Sequence, residues 1–202
     1  MKALRDTAWL FDLDGTVTRN ELLPLIAKST GLGDEMRILT DLTLTGAIDF
    51  RQSFKLRVAL LATVPLNLVH RALLDVEVDS YIKDFIQEHR DDAYIVTGNL
   101  DLWVNPLLQS IGVKSFASRG VFNGSKVILE SILDKAEAAI KLRGQYRRVI
   151  SVGDSFNDIP MFEQSDIGIA YAGTHAPVGA LIQTSMFVVK SSESLCRMLR
   201  TL

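Results

Sequence analysis

The stretch FDLDGTVT, residues 11–18, follows Ala8, Trp9 and Leu10, so apolar side chains run straight into Asp12, Asp14 and Gly15. A short apolar run that meets charge and glycine predicts a buried strand reaching its C-terminal end. In open α/β sheets, ligands bind outside that end.

Further strand-like runs occur at 93–98 (AYIVTG), 148–154 (RVISVGD), 167–171 (IGIAY) and 186–190 (MFVVK). Helical patterns at 80–89, 102–111 and 131–142 separate most of them. Strands alternating with helices predict a parallel sheet covered on both faces. Asn123-Gly124, inside the β-favouring stretch 121–127, predicts a hairpin. Residues 19–76 differ: they show no strong strand but helical patterns at 21–29, 35–43, 50–61 and 65–74. The expected organisation is an α/β core, residues 1–18 and 77–202, built on a Rossmann-like doubly wound parallel sheet. A small all-helical cap, residues 19–76, is inserted after the first strand and can act as a lid.

Composition bounds the rest. The 202 residues carry 22 basic and 24 acidic side chains, a net charge of -2, which gives no signal for nucleic acid or an acidic membrane. The one cysteine, Cys196, cannot form an internal disulfide and reads as a buried spectator. The N-terminal apolar stretch is too short for a signal peptide or membrane helix, so a cytoplasmic protein is expected. It is expected to be a monomer or homodimer. His70, His89 and His175 are scattered without ligand spacing and read as surface or structural. The small-residue stretch 170–180 reads as a loop on the rim of the site.

SVGDSFNDIPMF, residues 151–162, repeats the logic of the first stretch, an apolar strand delivering acid at its tip. If both strands are central in one sheet, Asp12, Asp14, Asp154 and Asp158 converge. Two carboxylates ~4 Å apart repel by roughly 4 kcal/mol at an effective dielectric near 20. Such a cluster needs a cation, and hard oxygen ligands beside a phosphate favour Mg²⁺.

Asp12-x-Asp14-Gly15-Thr16 resembles the nucleophile motif of the haloacid dehalogenase (HAD) superfamily of phosphohydrolases. GDSFND (153–158) is similar to its acidic metal-binding motif, and VTGN (96–99) to its second motif. Lys135 fits its basic residue, with Lys126 and Lys141 as neighbouring alternatives. The resemblance implies the HAD fold and an aspartyl-phosphate route with Mg²⁺. Asp12 would be the nucleophile, and Asp14 would protonate the leaving oxygen and then activate water. Thr97 would bind phosphoryl oxygens and Lys135 would neutralise charge. The metal would sit on Asp12, Asp154 and the Asp14 carbonyl, with Asn157 and Asp158 orienting Lys135 or metal waters. An acid at Asp14 favours phosphate over halide chemistry, because a halide leaves without a proton.

In AIDFRQSFKLRVALL, residues 47–61, Phe50, Phe54 and Leu61 share one helical face, and Arg57 interrupts that stripe. Glu21 follows Asp14 at the start of the cap. These features resemble the phosphoserine phosphatase branch, in which the Arg grips the substrate carboxylate and the Glu its ammonium. Arg57 and Glu21 would bind substrate together with Phe50, Leu44, Gly98, Asn99 and Asn157. The second motif departs from the branch's usual Ser-Gly-Gly: Asn99 adds a side chain, and Trp103 follows soon after. The expected partner is a small phosphorylated metabolite, O-phosphoserine above others. Transfer or hydrolysis of another small phosphoester, and a catalytically silent module on this fold, are the alternatives.

Overall fold

A computed structural model of the chain describes residues 3–44 and 47–202, without the Leu44 side chain. The first strand, β1 (Arg5–Phe11), is followed by four cap helices: α1 (Leu22–Thr30), α2 (Gly33–Leu44), α3 (Phe50–Leu61) and α4 (Leu66–Ala72). Then come α5 (Ser80–Glu88), β2 (Ala93–Leu100), α6 (Asp101–Ile111), β3 (Lys114–Phe122) and β4 (Val127–Ser131). The chain continues through α7 (Lys135–Arg143), β5 (Tyr146–Gly153), α8 (Ile159–Glu163), β6 (Ile167–Tyr171), α9 (Gly179–Thr184), β7 (Phe187–Val189) and α10 (Ser192–Leu199).

The strands form one sheet in the order β4-β3-β2-β1-β5-β6-β7. All neighbours are parallel except β3 and β4, which form the hairpin at Asn123-Gly124. The chain leaves β1 toward β2 on one side and later returns to β5 on the other. That reversal is the topological switch point where α/β sheets open a crevice.

The apolar run of β1 is explained by burial on both faces. Trp9 and Phe11 enter one core with Ile82, Phe85, Trp103 and Leu195, and the buried cap residues Leu22, Ile26, Phe54 and Leu61 continue it. Ala8 and Leu10 enter the other, against Ala138, Leu142, Met161 and Leu181. Phe85 meets Trp9 edge-on at 5.2 Å between ring centroids.

Three elements differ from the sequence expectation. The first strand, which the apolar run predicts over 8–13, stops at Phe11 because the chain turns at once: Asp12 N–H still donates to Val152 O, and Thr18 N–H then closes a loop onto Leu13 O at 2.8 Å. The helix expected over 131–142 starts only at Lys135, because Val127–Ser131 is spent pairing with β3 and Asp134 caps the helix. Of β3 only the end is expected, as the first arm of the hairpin within 121–127. The strand lies near the sheet margin and is largely exposed, so polar residues interrupt its pattern.

The two connections between cap and core run side by side. Thr18 bridges Val78, Arg19 N–H donates to Glu77 O at 3.0 Å, and Asp79 N–H to Val17 O at 2.9 Å. The cap also touches the core where Val127 N–H donates to Ala62 O at 2.8 Å and His70 Nε2 lies 2.8 Å from Leu102 O. No helix among the described residues is long and apolar enough to cross a membrane.

Candidate active site

Strand register assembles the site. Phe11 pairs with Ile95 on one side and Val152 on the other. Asp12 and Asp154 therefore follow the ends of β1 and β5, and Thr97 lies within the adjacent β2 at nearly the same level. Lys135 arrives from the first turn of α7. Its Nζ lies 2.5 Å from Asp12 Oδ1 and 2.6 Å from Asp158 Oδ1, and all three side chains are buried. A cation in the first turn opposes the helix dipole by about 0.3–1 kcal/mol; the two carboxylates offset that. Burial alone would lower the Lys135 pKa, but Asp12 and Asp158 raise it overall, so the ammonium is retained.

Asp158 is fully committed locally. Its Oδ2 accepts N–H from Asp154 and Ser155, each at 3.0 Å. Asp12, in contrast, receives a hydrogen bond only at Oδ1 among the described residues, and it lines the cavity. Burial, with Asp158 adding repulsion and Lys135 opposing, raises the Asp12 carboxyl well above the usual range. Oxygens of Asp12, Asp154 and Asp158 lie within 4.8 Å of one another. Buried carboxylates at this density, with a single buried ammonium among them, suit a hard divalent cation. The Asp14 carboxylate is not in this cluster.

Gly15 makes the close approach possible. Its φ is +69°, and a Cβ there would lie 2.0 Å from Asp154 Oδ2. Thr174 Oγ1 donates to the Gly15 carbonyl at 2.6 Å, which fastens the 170–180 loop to the rim as expected. Asp14 turns away from the cluster: its Oδ1 accepts Leu22 N–H at 2.8 Å and its Oδ2 accepts from Asn99 Nδ2. Burial raises its carboxyl to about 6, with the Leu22 N–H opposing. Thr97 is fully buried and its Oγ1 accepts Asn99 N–H at 3.1 Å.

A cavity of about 470 Å³ opens above these groups. Leu23, Phe50, Phe54, Phe156 and Val178 give it apolar walls, while Glu21, Arg57, Asn99, Asn157 and His175 bring polar groups. α3 turns Phe50, Phe54 and Arg57 toward it together, and the Phe50 and Phe54 rings stack at 5.7 Å. Gly98 lets Phe50 close on the core, since a Cβ there would lie 2.6 Å from Phe50 Cζ. Arg57 is held by hydroxyls: Nε donates to Ser53 Oγ and a terminal N–H to Thr40 Oγ1, both at 3.2 Å. Among the described residues no acid pairs with it directly, and burial lowers its pKa somewhat, with Glu21 opposing. Glu21 keeps exposed surface in the cavity. Desolvation, then Asp14 and Asp154, still push its carboxyl upward, and that exposure tempers the effect.

The family model of haloacid dehalogenase-like hydrolases matches residues 9–163. The chain belongs to that family. This HAD-like hydrolase is 30% identical over 176 residues to a phosphoserine phosphatase of Methanocaldococcus jannaschii, covering 80% of this chain and 83% of that one. It is 26% identical over 176 residues to the phosphoserine phosphatase of Archaeoglobus fulgidus, covering 80% of this chain but 51% of that longer protein. A solved structure described as a substrate-bound phosphoserine phosphatase complex superimposes with a TM-score of 0.83 at 25% identity, covering both chains in full.

The HAD-like hydrolase brings Asp12, Asp154, Asp158 and Lys135 together, whereas the Asp14 carboxylate, expected to converge with them, is turned to Leu22 and Asn99 instead. Lys126 sits on the hairpin and Lys141 lies over the Phe116 ring, so Lys135 alone of the three reaches the acids. It sets Glu21, Arg57, Phe50, Gly98, Asn99 and Asn157 around the cavity. Asn157 accepts from Ser155 Oγ, so Asp158 rather than Asn157 holds Lys135. The Leu44 side chain lies outside the described residues.

Two readings need correction. His175 is not a bystander: its Nε2 lies 2.9 Å from Asp154 Oδ2, and that bond raises it to about 9. Its position after the rim strand carries no spacing signal, which is why the sequence hid it. Trp103 does not face the site; it is fully buried in the core among Val104, Leu107 and Leu108. His70 and His89 are structural, against the carbonyls of Leu102 and Phe85.

Proposed function

We propose that this chain is an Mg²⁺-dependent phosphomonoesterase that works through an aspartyl-phosphate on a small phosphorylated metabolite, O-phosphoserine. The observation that carries the reading is one site in which Asp12, Asp14 and Lys135 underlie a cavity lined by Glu21 and Arg57.

Asp12 attacks phosphorus through the oxygen that Lys135 does not occupy. Lys135 offsets the charge that gathers on Asp12 and the phosphoryl group. Asp14 gives its proton to the departing ester oxygen and then takes one from the attacking water. Thr97 and the backbone N–H groups beside it donate to phosphoryl oxygens. Asp12, Asp154 and the Asp14 carbonyl would hold Mg²⁺, which neutralises like charge and polarises the phosphoryl group. Arg57 presents a charged fork to the substrate carboxylate, and Glu21 faces its ammonium. Phe50 packs against the carbon skeleton.

Residues 19–76 act as the cap domain over a core of residues 1–18 and 77–202. The chain works on small molecules in the cytoplasm as a monomer or homodimer, without nucleic acid.

The test is phosphate release with Mg²⁺ from O-phosphoserine, phosphothreonine, sugar phosphates, nucleotides and an aryl phosphate, with Asp12→Asn protein as the blank. Preference for phosphoserine is expected. Release from the aryl phosphate alone would discard that substrate, and release from none would discard the esterase reading.

A further inference from the structure

Asp14 is held from two sides. The cap supplies one donor, the N–H of Leu22 in the first turn of α1. The core supplies the other, the side-chain amide of Asn99 at the end of β2. Asn99 is only 6% exposed and lines the cavity. Its backbone N–H already has a partner in Thr97 Oγ1, so the turn does not need the side chain for closure. A glycine at this position would leave Asp14 Oδ2 without that donor. With a directed donor on each oxygen, the carboxyl is confined to one orientation.

We propose that Asn99 is a positioning residue for the acid–base step, its amide fixing the Asp14 carboxyl where the leaving-group oxygen departs. The proposal rests on the phosphomonoesterase reading but not on the identity of the alcohol. In the first step a bond forms between an Asp12 oxygen and phosphorus while the ester P–O bond breaks. The Asp14 proton passes to the ester oxygen, which leaves as the alcohol. In the second step water oxygen bonds to phosphorus, its proton passes to Asp14, and the Asp12 oxygen is released with its electron pair.

Proton delivery matters in proportion to the basicity of the leaving oxygen. An alkoxide needs the proton as the bond breaks, whereas 4-nitrophenolate departs without one. General acid catalysis is worth typically 10²–10⁴-fold, and a misplacement of about 1 Å can cost ~10²-fold. Loosening Asp14 therefore penalises alkyl esters selectively.

The experiment measures kcat/KM, which reports through the first chemical step, for a series from 4-nitrophenyl phosphate to ethyl phosphate. Asn99→Ala is expected to lose at least about tenfold more activity on ethyl phosphate than on 4-nitrophenyl phosphate. In an Asp14→Asn background the same substitution should add no further dependence on the leaving group, because coupled residues are not additive. Asn99→Ser, with a short donor, should fall between and carries the measurement if Asn99→Ala fails to fold. Equal losses across the series would overturn the positioning role while leaving the esterase reading standing. A wild-type protein inert toward every ester would overturn both.

Discussion

Lys135 Nζ lies 2.5 Å from Asp12 Oδ1 with both side chains buried, so the candidate nucleophile and its counter-charge form one unit. Removing one partner of a buried pair leaves an uncompensated charge, at about 3–5 kcal/mol. Lys135→Met strands both Asp12 and Asp158. It is expected to lower stability by that amount in denaturant titration and to reduce kcat/KM by roughly 10²-fold or more. Lys135→Arg should not restore activity, because a guanidinium does not fit a site that is 2% exposed. A Lys135→Met protein with wild-type stability and turnover would show that the pair is idle.

The parts of this site that the sequence revealed are those delivered by strands. An apolar run ending in acid carries its own direction, so Asp12 and Asp154 could be placed at sheet tips from their neighbours alone. Phe50–Leu61 was legible because its apolar residues recur at helical spacing. What stayed hidden arrives without periodicity. His175 reaches Asp154 from a rim loop, and the tie between Asn99 and Asp14 joins positions 85 apart. The part of β3 before the hairpin escaped because a largely exposed strand does not need an apolar face. Trp103 misled because proximity in sequence to the second motif says nothing about which side of α6 it occupies.

Metal-free protein should lose stability as pH rises. Burial raises the Asp14 carboxyl to about 6 and moves Asp12 upward too. A group whose pKa is higher folded than unfolded binds its proton more tightly in the native state. Its contribution is therefore present below the usual carboxylate range and is lost as pH climbs through about 6. With EDTA, Tm is expected to fall between pH 4 and pH 7, and Mg²⁺ should raise Tm more at the upper end. Asp12→Asn removes one charge from the cluster while Asp158 still pairs Lys135, so it should raise the EDTA Tm at neutral pH while abolishing phosphate release. A metal-free Tm that climbs across this range would contradict the repulsion on which the cation argument stands.

Gly15→Ala separates metal retention from folding. The left-handed φ of +69° costs a non-glycine residue about 1–2 kcal/mol. The larger effect is local, since the new methyl would lie 2.0 Å from Asp154 Oδ2 and must displace that carboxylate. The expected outcome is a folded protein with a modestly lower Tm whose thermal response to Mg²⁺ is largely lost. Circular dichroism with a Mg²⁺ titration reads both. Retention of the full Mg²⁺ response would remove Asp154 from the metal set.

Arg57 tests the substrate reading separately from the chemistry. Its guanidinium is braced by Thr40 and Ser53, and Thr43 Oγ1 donates to Ser53 Oγ at 2.7 Å behind them. Such a fork is pre-organised for a carboxylate, and a hydrogen bond to a charged group is worth roughly 1.5–3 kcal/mol. Arg57→Ala should therefore lower kcat/KM for O-phosphoserine roughly 10- to 100-fold more than for 4-nitrophenyl phosphate, mostly through KM. Arg57→Lys should recover little of the difference, because an ammonium is a point charge that cannot match both carboxylate oxygens. Thr40→Val, which removes one brace without touching the charge, should give a smaller loss of the same kind. Equal losses on both esters for Arg57→Ala would mean that the residue shapes the cap rather than the choice of substrate.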